Sequence, residues 1–151
     1  MFFLFLSILI LNLLAIMIPK KLTMLENYTT ILFSLVLSGT ADLFLDAKYE
    51  LYHYFSTEVE YRDYIAMVGL YPAVNILFLN LYPYQKSIKM KAVYIIGWSI
   101  FAIIYEWVAT TTELFSHNGW KLWYSAMIYP FLYLILLGNL KWMRRLKRQP
   151  H

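Results

Sequence analysis

The chain contains no cysteine, which excludes disulfide staples, thiolate metal sites, a thiol nucleophile and a lipoprotein-type acyl anchor. Compartment stays open, because a bundle of membrane helices needs no covalent staple. Charge is scarce as well: 15% of the 151 residues are charged, against 61% hydrophobic and 19% aromatic. A soluble domain of this size would expose far too much apolar area. A zinc-protease histidine pair, a phosphate-binding glycine loop, a serine elbow and an intramembrane aspartyl dyad motif are all missing, so hydrolytic and nucleotide-driven chemistry are not expected. Linkers, low-complexity segments, internal repeats and a separate soluble domain are absent too, leaving one transmembrane domain over residues 1–151. The net charge of +4 comes without a nucleic-acid reading motif, so no nucleic-acid partner is expected. No cofactor is expected either.

What the chain does have is five apolar runs: Phe2–Ile18, Tyr28–Leu45, Tyr64–Tyr82, Ala92–Ala109 and Leu122–Leu140. Each is close to the roughly 20 residues with which a helix crosses about 30 Å of hydrocarbon. An open strand would leave backbone groups unpaired in lipid, and the runs are too long and continuous for barrel strands. The expected fold is therefore all-α, an integral membrane bundle of five transmembrane helices. The first run lacks a basic leader and a small-x-small cleavage site and meets Pro19, Lys20 and Lys21 at once, so it reads as an uncleaved helix. Pro72 and Pro130 fall inside runs three and five and predict kinks. The loops Pro83–Lys91 and Thr110–Lys121 are short, which predicts antiparallel neighbours in a compact bundle. In the longest gap, Asp46–Asp63, Tyr49, Tyr52 and His53 recur at helical spacing. The second helix is expected to run past the lipid surface or bend into an interfacial helix.

Orientation follows from the basic residues. Lys20 and Lys21 follow run one, Lys86, Lys89 and Lys91 lie between runs three and four, and Lys141, Arg144, Arg145, Lys147 and Arg148 follow run five. Those are ten of the thirteen Lys and Arg residues, and threading places all of them on one side. The other side carries Lys48, Arg62 and Lys121 among Asp46, Glu50, Glu58, Glu60, Asp63 and Glu113. Basic residues beside short loops stay in the cytoplasm, so the N-terminus is expected outside and the C-terminus inside. Tyr82, Tyr84 and Trp142 on the inner side suit an aromatic belt, as do Tyr49, Tyr52, Trp107, Trp120 and Trp123 on the outer. The basic tail after run five is expected to lie against anionic lipid headgroups.

The residues with chemical interest are ionisable groups that a membrane penalises. Asp42 lies about a turn inside the outer end of run two, and Glu106 lies at similar depth in run four. A carboxylate at mid-membrane costs about 2.5–3.5 kcal/mol, and less near the interface, so both should face protein or water. Ser38, Asp42 and Asp46 share one face of run two, while Ser99, Ala102, Glu106, Ala109, Thr110 and Glu113 share a stripe of run four. Small residues beside each acid predict close approach of these two helices. The expectation is an outward-opening polar pocket lined by Asp42, Asp46, Glu106 and Glu113, with Asn75 and Asn80 deeper or towards the inside. A plainer alternative makes Asp42 and Glu106 interhelical hydrogen-bond glue. Asp46, Glu50 and His53 at helical spacing, with His117 in the other outer loop, form a weaker metal-ligand set.

Four segments, ADLFLDAKYELYHYF (Ala41–Phe55), LNLYP (Leu79–Pro83), YEW (Tyr105–Trp107) and NGWKLWYS (Asn118–Ser125), resemble a family of uncharacterised small multi-span membrane proteins. That family is widespread in endospore-forming Gram-positive bacteria. The resemblance covers nearly the whole chain and implies a compact multi-span helical protein of the bacterial plasma membrane. It brings no activity, cofactor or catalytic residue, although Asp42, Asp46, Glu106 and Trp120 match its pattern. The expected function is a non-enzymatic structural or accessory membrane subunit. The alternative is a small carrier or ion- or proton-binding protein using its intramembrane carboxylates. Five spans leave little room for a private transport path, so a homo-oligomer or a larger membrane complex is expected with either.

Overall fold

The computed structural model describes residues 2–49, 61–111 and 122–148, with the side chains of 41–49, 61–63, 66 and 110 left aside. It is all-helical: α1 (Phe2–Met17), α2 (Met24–Tyr49), α3 (Tyr61–Leu81), α4 (Ile88–Thr111) and α5 (Leu122–Leu146), with no strand among the described residues. The five runs are thus the five helices, extended at their ends by polar turns that also favour helix. Two of them, over Ile88–Ala109 and Leu122–Leu146, are long and apolar enough to cross a membrane; α1 and the Met67–Leu81 part of α3 are apolar but shorter.

Helix ends follow local chemistry. α1 stops where Pro19 cannot continue it, and the Lys20 ammonium donates to the Ala15 carbonyl left open at its end. α2 opens on a capping box: Thr23 Oγ1 accepts from Glu26 N–H at 3.3 Å while Glu26 Oε2 accepts from Thr23 N–H at 2.8 Å. α3 ends just before Tyr82 and Pro83, as a residue preceding proline avoids the helical region. Ser87 caps α4 by accepting from Met90 N–H at 3.4 Å. α5 runs on through Arg144 and Arg145, whose charge suits a helix C-terminus. Pro72 and Pro130 lie inside continuous helices.

Packing departs from chain order. α3 lies against both α1 and α2, α5 lies against α4 and, less broadly, α2. The expected close approach of the second and fourth helices is not realised: among the described residues the broad backbone contact of α4 is with α5. The α1–α3 contact is tight at Gly69, where a β-carbon would come within 2.9 Å of Ile8. There Asn12 Nδ2 bridges to the Gly69 carbonyl at 2.8 Å, a small-residue contact pinned by a polar one. A second core joins α3, α4 and α5 through aromatic rings, with Phe78 stacked on Tyr133 at 4.4 Å and edge-on to Trp98 at 5.9 Å.

The core is mostly apolar but encloses polar groups, and the outer faces of the helices are apolar as well. Thr30, Ser34, Asn80, Ser99, Glu106 and Ser125 are buried, whereas Ile96, Ile100, Ile104 and Trp107 form an exposed stripe along α4. Large apolar side chains on all five helices point outwards in the same way.

Candidate functional site

Glu106 is the one intramembrane acid of the sequence reading whose side chain is described. It is 8% exposed and lies on α4 beside buried Ser99 and Ala109, so the predicted stripe is an inward face. Its partner helix is α5. Ser125 Oγ donates to Glu106 Oε1 at 2.8 Å and Tyr129 Oη donates to Oε2 at 2.6 Å. Ser125 and Tyr129 stand one helical turn apart, so both hydroxyls face α4 together. Ser125 is itself 3% exposed. Two hydrogen bonds offset much of the cost of burying the carboxyl group.

The remaining candidates fall elsewhere. Asp42 and Asp46 lie on α2, but their side chains are outside the described residues, as are Glu50, His53, Glu113 and His117. Asn75 is half-buried on α3. Asn80 is fully buried at the opposite end of the bundle from Glu106, level with the start of α4, where the Tyr94 hydroxyl donates to the Phe78 carbonyl at 2.8 Å. Glu106 is 18 residues along α4 from Ile88, about 27 Å away at 1.5 Å per residue. The structure therefore does not bring Asn80 to Glu106. Their separation is not that of a single shared pocket.

Asn80 belongs to a different constellation. Its Oδ1 accepts from Lys21 N–H at 2.9 Å and Leu22 N–H at 3.1 Å, while Nδ2 donates to the Ile76 carbonyl at 2.9 Å and to Asn27 Oδ1 at 3.2 Å. The carboxylate of Glu26, 5% exposed, meets Arg144 of α5 with Nε–Oε1 at 2.8 Å. The Arg144 guanidinium in turn lies over the Tyr84 ring at 5.2 Å. Burial holds the Tyr84 hydroxyl protonated, pushing its pKa to about 12, and it donates to the Leu79 carbonyl at 2.8 Å. These contacts tie the α1–α2 link, the ends of α3 and α5 and the α3–α4 link into one cluster. All three basic tracts consequently sit at one end of the bundle.

Sequence reasoning missed Ser125, Tyr129, Glu26 and Arg144 as partners. The Thr23-x-x-Glu26 capping signature was visible in the chain, as was the i, i+4 hydroxyl pair at 125 and 129. Neither names the helix it will meet. No family model matches the chain, and no curated protein and no solved structure matches it either. The resemblance to the endospore-former family therefore rests on its four segments alone.

Proposed function

We propose that this chain is a five-span protein of the bacterial plasma membrane, N-terminus outside and C-terminus in the cytoplasm, acting as a non-enzymatic structural or accessory subunit of a homo-oligomer or larger complex. Three features support the membrane reading: buried polar groups, an apolar exterior, and basic tracts collected at one end. Glu106 carries the functional half. Both of its carboxylate oxygens accept from α5 hydroxyls, which supports a role in holding two helices together. Interhelical hydrogen bonds in membranes are worth about 0.6–2 kcal/mol each, enough for a packing role.

Glu106→Gln tests this directly. Glutamine can still accept from one hydroxyl and donate to the other, so the accessory reading expects unchanged insertion, a stability loss of about 1 kcal/mol or less in detergent, and no change in the vesicle permeability to protons or cations. The carrier reading starts instead from the burial of a carboxyl group within a span. It predicts that the same substitution abolishes a proton or cation flux that the wild-type protein supports. A flux lost in this way would replace the accessory reading.

Orientation has its own measurement, made clean by the absence of native cysteine. Ser56→Cys is expected to react with an impermeant maleimide in intact cells. Ser87→Cys, at the N-cap of α4 among Lys86, Lys89 and Lys91, is expected to react only after the cells are opened. Labelling of position 87 from outside would invert the map.

A further inference from the structure

We propose that the groove between α2 and α5 at the basic end of the bundle binds one anionic phospholipid, with an acyl chain in the groove and the phosphate on Lys147 and Arg148. This deepens the membrane reading above and, for its leaflet, rests on the basic end facing the cytoplasm.

The groove encloses about 350 Å³ between Leu32, Phe33 and Val36 of α2 and Trp142, Met143 and Leu146 of α5. That falls in the range of about 300–1,000 Å³ found for small-molecule sites. A second helix, about 10–12 Å across with its side chains, needs more room. The groove extends over eight residues of each helix, about 10 Å, or roughly two-thirds of one leaflet's hydrocarbon. Its wall is mostly apolar, with the half-buried Asn139 amide and the Thr29 hydroxyl as its polar groups. The Thr29 hydroxyl at its edge is held against the Leu25 carbonyl at 2.9 Å and Met143 Sδ at 2.8 Å. In lipid, an unfilled apolar cleft forfeits dispersion contacts on one side, and a flexible acyl chain restores them.

Charge complements the open end. Asn139, Met143 and Lys147 recur at i, i+4 and i+8, and Lys147 N–H still bonds the Met143 carbonyl at 3.0 Å, so Lys147 continues the groove face beyond α5. Arg148 follows it, and both are exposed. Glu26 is the acid nearest this end, and Arg144 already occupies it. Among the described residues that is the only direct ion pair; Lys147 feels the same carboxylate only at longer range, and Arg148 makes no ion pair among them. Trp142, 63% exposed at the groove wall, supplies an amphipathic ring at headgroup depth.

The full chain, taken from vesicles of equal phosphatidylglycerol and phosphatidylcholine, is to be analysed by native mass spectrometry. One retained phosphatidylglycerol is expected, preferred about thirtyfold over phosphatidylcholine, the size of effect two adjacent basic side chains supply near a membrane surface. Val36→Trp, at a position 67% exposed, should fill the groove and remove the retained lipid. Lys147→Gln with Arg148→Gln lies on the surface and should equalise the two lipids while a lipid is still retained. Equal retention of both lipids by the wild-type chain would overturn the proposal. So would unchanged phosphatidylglycerol in Val36→Trp, or a wild-type dimer that Val36→Trp dissociates, since a second copy would then occupy the groove. Exterior labelling of position 87 with the lipid preference intact would instead overturn the orientation and leave the groove site standing.

Discussion

Asn80→Leu is expected to destabilise the bundle by about 3 kcal/mol or more, because leucine keeps the branched shape, is larger, and removes every polar contact the site makes. Asn80 is 0% exposed. Its carbonyl oxygen serves the Lys21 and Leu22 N–H groups and its amide nitrogen serves Ile76 and Asn27, so the amide's bonding capacity is nearly filled. Those two N–H groups belong to the link between α1 and α2, which has no helical ladder of its own at that point. With leucine they lose their acceptor in a place that Leu22, 4% exposed, shields from water. Each unsatisfied buried donor costs about 1–3 kcal/mol. Asn80→Asp keeps the acceptor but turns a second oxygen towards the Ile76 carbonyl and Asn27 Oδ1 in a buried site, so it too is expected to be costly. Equilibrium unfolding in detergent measures both, and a leucine variant within about 0.5 kcal/mol of wild type, the range of an ordinary surface change, would show that water replaces the amide.

The helices themselves were legible because a run of about 20 apolar residues bounded by Lys, Pro and acid has few other outcomes. Their ends were less so. α5 continues to Leu146 through Lys141, Arg144 and Arg145, residues that read as flanking charge yet have good helix propensity and suit the C-terminal dipole. Pairing of helices was the least legible feature. In a soluble bundle the apolar stripe marks the buried face, but here Ile96, Ile100 and Ile104 face outwards with the same chemistry as Leu136, Leu137 and Leu140, which face inwards. Helical spacing correctly put Ser99, Glu106 and Ala109 on one buried face. Nothing in that spacing could choose α5 over α2, because both offered hydroxyl and small residues at i, i+4. Glu26 was hidden for a different reason. It lies outside the apolar run, where an acid carries no membrane penalty, and its partner is 118 positions away.

That hidden pair gives the second large effect, an acid-dependent loss of stability. The Glu26 carboxyl is held below its ordinary value of 4.5, chiefly by the hydrogen bond from Arg144, with burial opposing and the Thr23 N–H assisting. The same hydrogen bond pushes Arg144 further up, so it stays charged throughout. Because the folded-state pKa is the lower one, the pair's contribution is fully present above the unfolded value near 4.5 and is lost as pH falls through the folded value. Glu26→Gln isolates this term, since glutamine at the third helical position still serves the capping box. Arg144 is 34% exposed on its side chain against 7% for Glu26, so solvent screens the pair and its loss is expected to cost only about 1 kcal/mol at pH 7. Glu26→Ala also removes the cap and should cost about 2 kcal/mol. Arg144→Gln should be the worst of the three, because it leaves a buried carboxylate with the Thr23 N–H alone and also strips the cation from the Tyr84 ring. Adding Glu26→Gln to it should recover part of that loss, the signature of an uncompensated charge rather than of lost packing. Thermal unfolding across pH 7 to 3 reads all of this: the gap between wild type and Glu26→Gln should close as the medium turns acid, and a gap that stays constant would place the acid sensitivity of the fold elsewhere.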